Sequence, residues 1–430
     1  MFDLLINIYK LRKNLRINLH ELEELQNKKL RAIVKYSYNN VPYYHKRFNE
    51  INLKPSDIKN IEDLKKIPFL TKSKIQENKN HELISRNIDL RKCRKTKTSG
   101  STGLPLTVYT NKQSALIDDA LWLRAHFERG MNIRDKMAVL RDPRYFSRIQ
   151  TQKLLETLGI IRRKYISIFN CTKTQIYKLI QFDPDIIRSY PSSLIILTLH
   201  SNEYLNFIHP KMLFTSGEFI DSNTRKTIQN IFHGKIFDNY SSNELSLIAW
   251  ECKIHDGYHI NADDLILETI KNSEVVSPSE RGEIIITKLN YYAMPLIRYR
   301  IGDVGILNEE KCTCGVNLPL LKIIEGRVDD FLITMDGEII SPIIFFPYPF
   351  KETEQIKNFK IIQEKKDKIV IQILFKENGN FNANFFDYAE KEIKNVFGKD
   401  MRVYFEIMDE IKMDASGKIR KVISKITNHI

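Results

Sequence analysis

The 430-residue sequence predicts an α/β protein: a large N-terminal domain of mostly parallel sheet flanked by helices, with a β-rich subdomain, and a small α+β C-terminal domain. Three observations carry this. Between 137 and 250 a short apolar strand, a small polar loop and a helix follow one another three times, the signature of parallel strands joined by crossovers. After 258 the segments read as strands without intervening helices. Beyond Gly326-Arg327-Val328-Asp329-Asp330 lies a short strand–helix–strand unit. The domains are therefore expected at 1–325 and 326–430.

In chain order, residues 4 to 37 predict a helix or helix pair, because Leu15, Ile17, Leu19, Leu22, Leu25, Leu30, Ile33 and Val34 give a helical apolar stripe. Val41-Pro42 ends this section. Asp57 to Lys66 is a short helix closed by Pro68, and Val108 to Thr110 is a strand. Met137–Leu140, Asp185–Tyr190, Met212–Thr215 and Lys235–Phe237 are the strands of the parallel region. Their helices are Leu194–Leu205, one capped by Asp221 that runs to Phe232, and one from Asn243. Ligands on such sheets sit at the carboxyl ends of strands, so the loops 190–193, 215–218 and 238–244 are expected to converge on one crevice. Leu265–Glu268 and Glu283–Thr287 are strands of the β-rich part. In the last unit, Lys368–Leu374 and Met401–Ile407 are strands. Phe386, Ala389, Ile393, Val396 and Phe397 mark one helix face, and Gly398 stops that helix. Asp414 to Arg420 reads as a flexible basic loop.

A 42% hydrophobic share is that of a globular chain. The formal charge of +14 invites a nucleic-acid reading, but basic and acidic residues are interleaved along the chain, so no nucleic-acid partner is expected. Five cysteines in so long a chain argue against a secreted disulfide framework. The apolar start has its basic residues after it, a poor signal peptide. Lys10 to Arg16 could touch a membrane surface, yet no stretch is long and uncharged enough to insert. A cytoplasmic location is expected.

Chemistry concentrates first at Thr98-Ser99-Gly100-Ser101-Thr102-Gly103-Leu104-Pro105. Two glycines permit a sharp turn and close backbone approach, and hydroxyls and free N–H groups suit a polyphosphate. Leu104-Pro105 after the second glycine excludes a Walker A loop. Further on come Ser216-Gly217-Glu218, Asn239-Tyr240-Ser241-Ser242-Asn243-Glu244, Tyr299-Arg300-Ile301-Gly302-Asp303, Gly326 to Asp330, and Ser416-Gly417-Lys418-Ile419-Arg420.

Six motifs in this order resemble the adenylate-forming (acyl-CoA synthetase-like) superfamily, most nearly its phenylacetate–CoA ligase and capsular-polysaccharide biosynthesis branch, over about residues 36 to 425. The resemblance implies ATP-dependent activation of a carboxylic acid to an acyl-adenylate with release of pyrophosphate. Transfer to a thiol, coenzyme A, follows. Its alternatives are an amine or hydroxyl acceptor in envelope or capsular polysaccharide biosynthesis, or AMP transfer to a hydroxyl-bearing cofactor. A homodimer is one option for its assembly. It further implies that the C-terminal domain swivels about a hinge near Asp329.

By the same resemblance, Thr98, Ser99, Gly100, Ser101, Thr102 and Gly103 would hold the β- and γ-phosphates. Glu244 would ligate Mg²⁺, a cation that favours hard oxygen ligands. Tyr240 would stack on adenine between Asn239 and Ser241, with Gly217 and Glu218 along its edge. Asp303 would accept the ribose hydroxyls. Arg327 would bind near ribose or phosphate, and Lys418 would neutralise charge developing at the α-phosphate and attacking carboxylate. Asn239 and Ser241 depart from the family's usual aspartate and glycine, and the proline-bearing stretch Gly337–Phe350 is unusual after the hinge. The acid pocket is expected near Tyr190-Pro191-Ser192 and Ser216.

A second cluster is Cys252-Lys253-Ile254-His255 with Cys312-Thr313-Cys314. Three thiolates and an imidazole can close a tetrahedral structural zinc site. The expected ligands are Cys252, His255, Cys312 and Cys314, with His259 a rival for the fourth position.

Overall fold

The computed structural model describes residues 2–77, 81–97, 106–143, 146, 157–200, 202–308, 310–327, 332–337, 339–340, 356–375, 383–411 and 420–426. The 98–105 loop, Val328–Asp330, Lys418 and much of the Gly337–Phe350 stretch lie outside them. The described chain forms two compact units, Met1–Asn132 with Asn239–Ile324, and Ile133–Asp238 with Glu325–Ile430.

In the first unit the helical start is a pair, Phe2–Asn14 and Leu19–Asn40. Asn18 separates them by capping the second: its side chain accepts from the Glu21 amide, and Glu21 reciprocates at the Asn18 amide, both at 2.9 Å. The section does not end at Val41-Pro42. Proline suits the first turn of a helix, where no N–H is needed, and a third helix runs Pro42–Glu50. Asp57–Lys66 resolves into two short 3₁₀ turns, Pro55–Asp57 and Ile61–Lys66.

The unit's strands are antiparallel. Leu265–Lys271 and Arg281–Lys288 pair over most of their length, and Arg281–Lys288 pairs on its other edge with Tyr299–Asn308. The helix expected from Asn243 does not form. The strand Lys235–Ser242 instead turns through Asn243–Leu245 into Ser246–Glu251, which pairs back along it. Leu247, Ile248, Ala249 and Trp250 are all inaccessible, so this segment is buried on both faces. Such a segment carries no period that distinguishes strand from helix.

Two ionic knots fasten this unit. Arg124, fully buried, donates to both oxygens of Asp263 at 2.7 and 3.0 Å, to Asn261 Oδ1 at 2.6 Å and to the Leu11 carbonyl. Asn14 also reaches Asp263, so the N-terminal helices are tied to the sheet. Lys288, equally buried, lies 2.5 Å from Asp264 and 3.3 Å from Asp118, and donates to the Leu245 carbonyl. Tyr291 donates its hydroxyl to Asp118 at 2.7 Å.

In the second unit Met137–Arg141, Ile186–Ser189 and Met212–Ser216 are parallel, as the repeated pattern predicts. A strand that the sequence did not announce, Arg163–Ser167, adds a parallel edge beside Met137–Arg141. The expected Leu194–Leu205 helix is two, Pro191–His200 and Asn202–Leu205. Asp221 caps the helix Ser222–Phe232 by accepting from the Thr224 amide at 2.9 Å. The unit's second sheet has the order Arg402–Ile407, Lys368–Phe375, Ile356–Lys365, Val422–Ser424. Ile369, Ile371 and Ile373 alternate onto the face covered by Ile393 and Phe397 of the helix Ala383–Phe397. Each such buried side chain contributes about 1.5–3 kcal/mol. Gly398 ends the helix at φ +110, where a Cβ would crowd Met335.

Candidate active site and metal centre

Strands Arg94–Lys97 and Thr107–Thr110 pair antiparallel, with Lys97 facing Thr107 across the base of the 98–105 segment. The expected phosphate contacts of Thr98 to Gly103 themselves fall outside the described residues.

Tyr240 and Asp303, 63 positions apart, meet: the tyrosine hydroxyl donates to Asp303 Oδ2 at 2.7 Å. Both positions are set by irregular pairing. On Tyr299–Asn308, Arg300 faces Ile285 while Val304 faces Glu283, so Ile301-Gly302-Asp303 bulges opposite one residue. A bulge re-aims side chains, and Gly302 supplies its φ of +83. On Lys235–Ser242 the register shifts between Tyr240 and Ser241. The Asp303 strand is clamped from below. Arg298 makes a two-pronged contact with Glu268 at 2.9 and 3.1 Å and donates to the Ile67 carbonyl, and Arg300 pairs with Glu283.

Asn239 is buried and accepts from Arg129 at 2.8 Å; the same guanidinium donates to the Glu251 carbonyl and lies over Trp250. An asparagine oxygen fits beside that arginine without adding a net charge. Glu244 is 8% exposed, in the turn after Ser242. Arg327 ends the strand Leu320–Arg327.

In the second unit the loops after two parallel strands do meet. Glu218 accepts from the Ser192 amide at 2.9 Å and its hydroxyl at 2.8 Å, joining 190–193 to 215–218 and capping the helix that begins at Pro191. The carboxylate expected along an adenine edge thus holds a loop junction. Gly217 beside it has φ +80. Thr215 donates to Asp238, tying in the middle of the strand Lys235–Ser242. Lys421, three positions after Lys418, reaches Asp221 at 3.2 Å.

The thiol cluster forms, with one substitution of ligand. Ligand atoms of Cys252, His259, Cys312 and Cys314 all lie within 4.8 Å of one another. Cys252 and Cys312 sulfurs are 3.6 Å apart, and Cys314 Sγ is 3.2 Å from His259 Nε2. His255 is elsewhere: its Nδ1 is 3.3 Å from Glu251 Oε2, at a residue with φ +59 that turns the chain outward. His259 instead sits on the strand Tyr258–Ile260 opposite Trp250, and its buried ring is aimed inward.

The donor set fits a metal. His259 Nδ1 faces the Leu318 carbonyl at 3.3 Å, which turns Nε2 toward the sulfur of Cys314. Burial holds the His259 pKa down, so the ring is neutral, as a ligand requires. Burial also pushes the Cys252 and Cys314 thiols up, so a cation is what would make thiolates favourable there. Sulfur separations near 3.6 Å are those of a tetrahedron with bonds of about 2.3 Å.

A family model described as the CapK C-terminal domain matches residues 332–425. Phenylacetate-coenzyme A ligase of Pseudomonas putida is 26% identical over 428 residues, spanning 93% of this chain and 92% of that one. Protein CapK of Staphylococcus aureus is 24% identical, spanning 95% and 90%. The chain is thus similar over nearly its whole length to phenylacetate–CoA ligase and CapK, the branch of adenylate-forming proteins that its motifs resemble. Its fold agrees with a solved 2-hydroxyisobutyryl-CoA ligase in complex with 2-HIB-AMP. The TM-score is 0.81 at 20% identity, over 96% of this chain and 91% of the other. Among the described residues, no helix is long and apolar enough to cross a membrane.

Proposed function

We propose that the chain activates a carboxylic acid with ATP, forming an acyl-adenylate and pyrophosphate, and then passes the acyl group to the thiol of coenzyme A. The observation that carries the reading is the Tyr240–Asp303 contact at the bulge. It sets a hydrogen-bonding carboxylate beside an aromatic ring, the pair that a ribose and a base require.

Asp303 accepts the ribose hydroxyls, and Tyr240 supports the base. Thr98 to Gly103 cradle the outer phosphates, Glu244 supplies an oxygen to Mg²⁺, and Arg327 binds near ribose or phosphate. Lys418 neutralises the carboxylate and α-phosphate oxygens as the new bond forms. Residues 1–325 act as the nucleotide- and acid-binding domain, and 326–430 as the domain that brings Lys418. A cytoplasmic setting agrees with the free thiols of the cysteine cluster.

Asp303→Ala should weaken ATP binding about 10–100-fold, the loss of charged hydrogen bonds, while Tyr240→Phe, which keeps the ring, costs far less. Calorimetric titration with magnesium ATP separates the two. Equal losses would remove the assigned division of roles. The whole reading is tested by an acid library scored by pyrophosphate release, with and without coenzyme A. A thioester product supports it, and pyrophosphate release that needs no carboxylate opposes it.

The CapK C-terminal match favours a second reading, an amine or hydroxyl acceptor in envelope polysaccharide assembly. An ester or amide formed where coenzyme A gives no thioester would select it.

A structural zinc ion held by Cys252, His259, Cys312 and Cys314 is part of the same proposal. It would fasten the turn after Ser246–Glu251 to the 312–318 segment, and it takes no part in the chemistry. Elemental analysis should find about one zinc per chain, and none in Cys312→Ser. Loss of the metal should lower the Tm by about 5–10 °C.

A further inference from the structure

Glu244 lies in the turn between the strands Lys235–Ser242 and Ser246–Glu251, and its carboxylate is left over. The residue is 8% exposed, and among the described residues no hydrogen bond or ion pair reaches its side-chain oxygens. Few waters can solvate an acid so enclosed, so it suits a cation brought from outside the chain. It also follows that no partner of its own steadies the carboxylate. Its aim is set by the backbone of the turn.

That backbone is gripped on both sides of Leu245, whose side chain is fully buried. The Leu245 amide belongs to the peptide group that joins it to Glu244, and it donates to Ser242 Oγ at 3.1 Å. The Leu245 carbonyl belongs to the next peptide group, and it accepts from Lys288 Nζ at 3.0 Å. Ser246 then takes φ +61, a left-handed conformation that a β-carbon disfavours. Such a residue persists where its surroundings over-determine it. Here the Ser246 hydroxyl accepts from Trp122 Nε1 at 3.2 Å.

Two of these grips trace to one helix. Lys112–Glu128 carries Asp118 and Trp122 at i and i+4, one turn apart on the same face. Asp118 lies 3.3 Å from Lys288 Nζ, and Trp122 reaches Ser246. Arg124 of the same helix is locked to Asp263. The helix is thus a fixed support, and the indole N–H is its direct contact with the turn. Lys288 also balances two buried carboxylates, so its loss would report on folding. Trp122 is half-buried and can be changed by one polar atom.

We propose that Trp122 is a positioning residue for Glu244: through the Ser246 hydroxyl it holds the turn so that the Glu244 carboxylate meets the magnesium ion carried by ATP. The inference rests on the reading of Glu244 as a magnesium ligand.

The test measures how much magnesium strengthens ATP binding, as the ratio of the calorimetric Kd for ATP in EDTA to that for magnesium ATP. Trp122→Phe keeps a ring and loses the donor, and Ser246→Ala loses the acceptor. Each should lower the ratio about tenfold and leave the Kd for metal-free ATP unchanged. The double variant should be no worse than either single one, because all three lack the same hydrogen bond. Glu244→Gln should abolish the magnesium effect, and adding Trp122→Phe to it should change nothing further. If Trp122→Phe lowers the Tm, Ser246→Ala reads the same bond with the helix untouched. A wild-type ratio in both single variants would overturn the proposal. So would equal weakening of ATP with and without the metal, the mark of general damage to the site. If Glu244→Gln alone loses the magnesium effect, only the role of Trp122 falls. If Glu244→Gln keeps it, the magnesium reading of Glu244 falls and takes the positioning role with it.

Discussion

Lys418→Ala should slow acyl-adenylate formation by about 10²–10³-fold, the usual effect of removing one group aimed at charge that develops in a transition state. ATP affinity should change by no more than about threefold, because the interaction belongs to the transition state and not to the ground state. Pyrophosphate release from enzyme, ATP and acid measures the first quantity, and calorimetry the second. Thioester formation from supplied acyl-adenylate should survive, since the bond to AMP already exists. A variant that makes acyl-adenylate at the wild-type rate would strip Lys418 of this role.

Lys288→Met should cost about 3–5 kcal/mol of stability, because it leaves Asp118 and Asp264 buried without their cation. Burial already pushes the Asp118 carboxyl up to about 6 despite Lys288, which shows how little solvation the site offers. The triple change Lys288→Met, Asp118→Asn, Asp264→Asn should recover a large part of the loss, since it removes the charges together. Urea midpoints of the three proteins check this. Equal destabilisation of single and triple variants would mean that shape, and not charge, governs the site.

Much of the fold was legible in local pattern. Ile186-Ile187 and Met212-Leu213-Phe214 are uninterrupted apolar strands that end in small polar loops, and Asp221 stands where a helix must start. Arg163–Ser167 was hidden because it offers one fully buried apolar side chain, Ile166, among four polar or aromatic neighbours. The turn at Asn243–Leu245 was hidden because Leu247–Trp250 is apolar on every side. At the candidate site, spacing in the chain picked out the three cysteines but left His255 ahead of its rival His259, and it is His259 whose ring lies beside the sulfurs. A Cys-x-x-His count cannot register that Gly257, at φ +103, redirects the chain so that His259 re-enters the sheet. A Cβ at Gly257 would stand 2.9 Å from the Leu321 carbonyl, so the turn needs glycine. Tyr240 and Asp303 were each visible as motif members. Their contact depends on two bulges, and register is invisible until strands are paired.

The first unit is assembled from two stretches of chain with the parallel region between them. During synthesis Arg124 emerges 139 residues ahead of Asp263, the carboxylate that neutralises it. At about 5–20 residues per second that gap lasts about 7–30 s. Throughout it the helix Lys112–Glu128 holds a cation whose burial place does not yet exist. Ribosome-bound chains that stop short of Asp263 should therefore be easy prey for proteases and chaperones, and should become resistant only as that aspartate clears the exit tunnel.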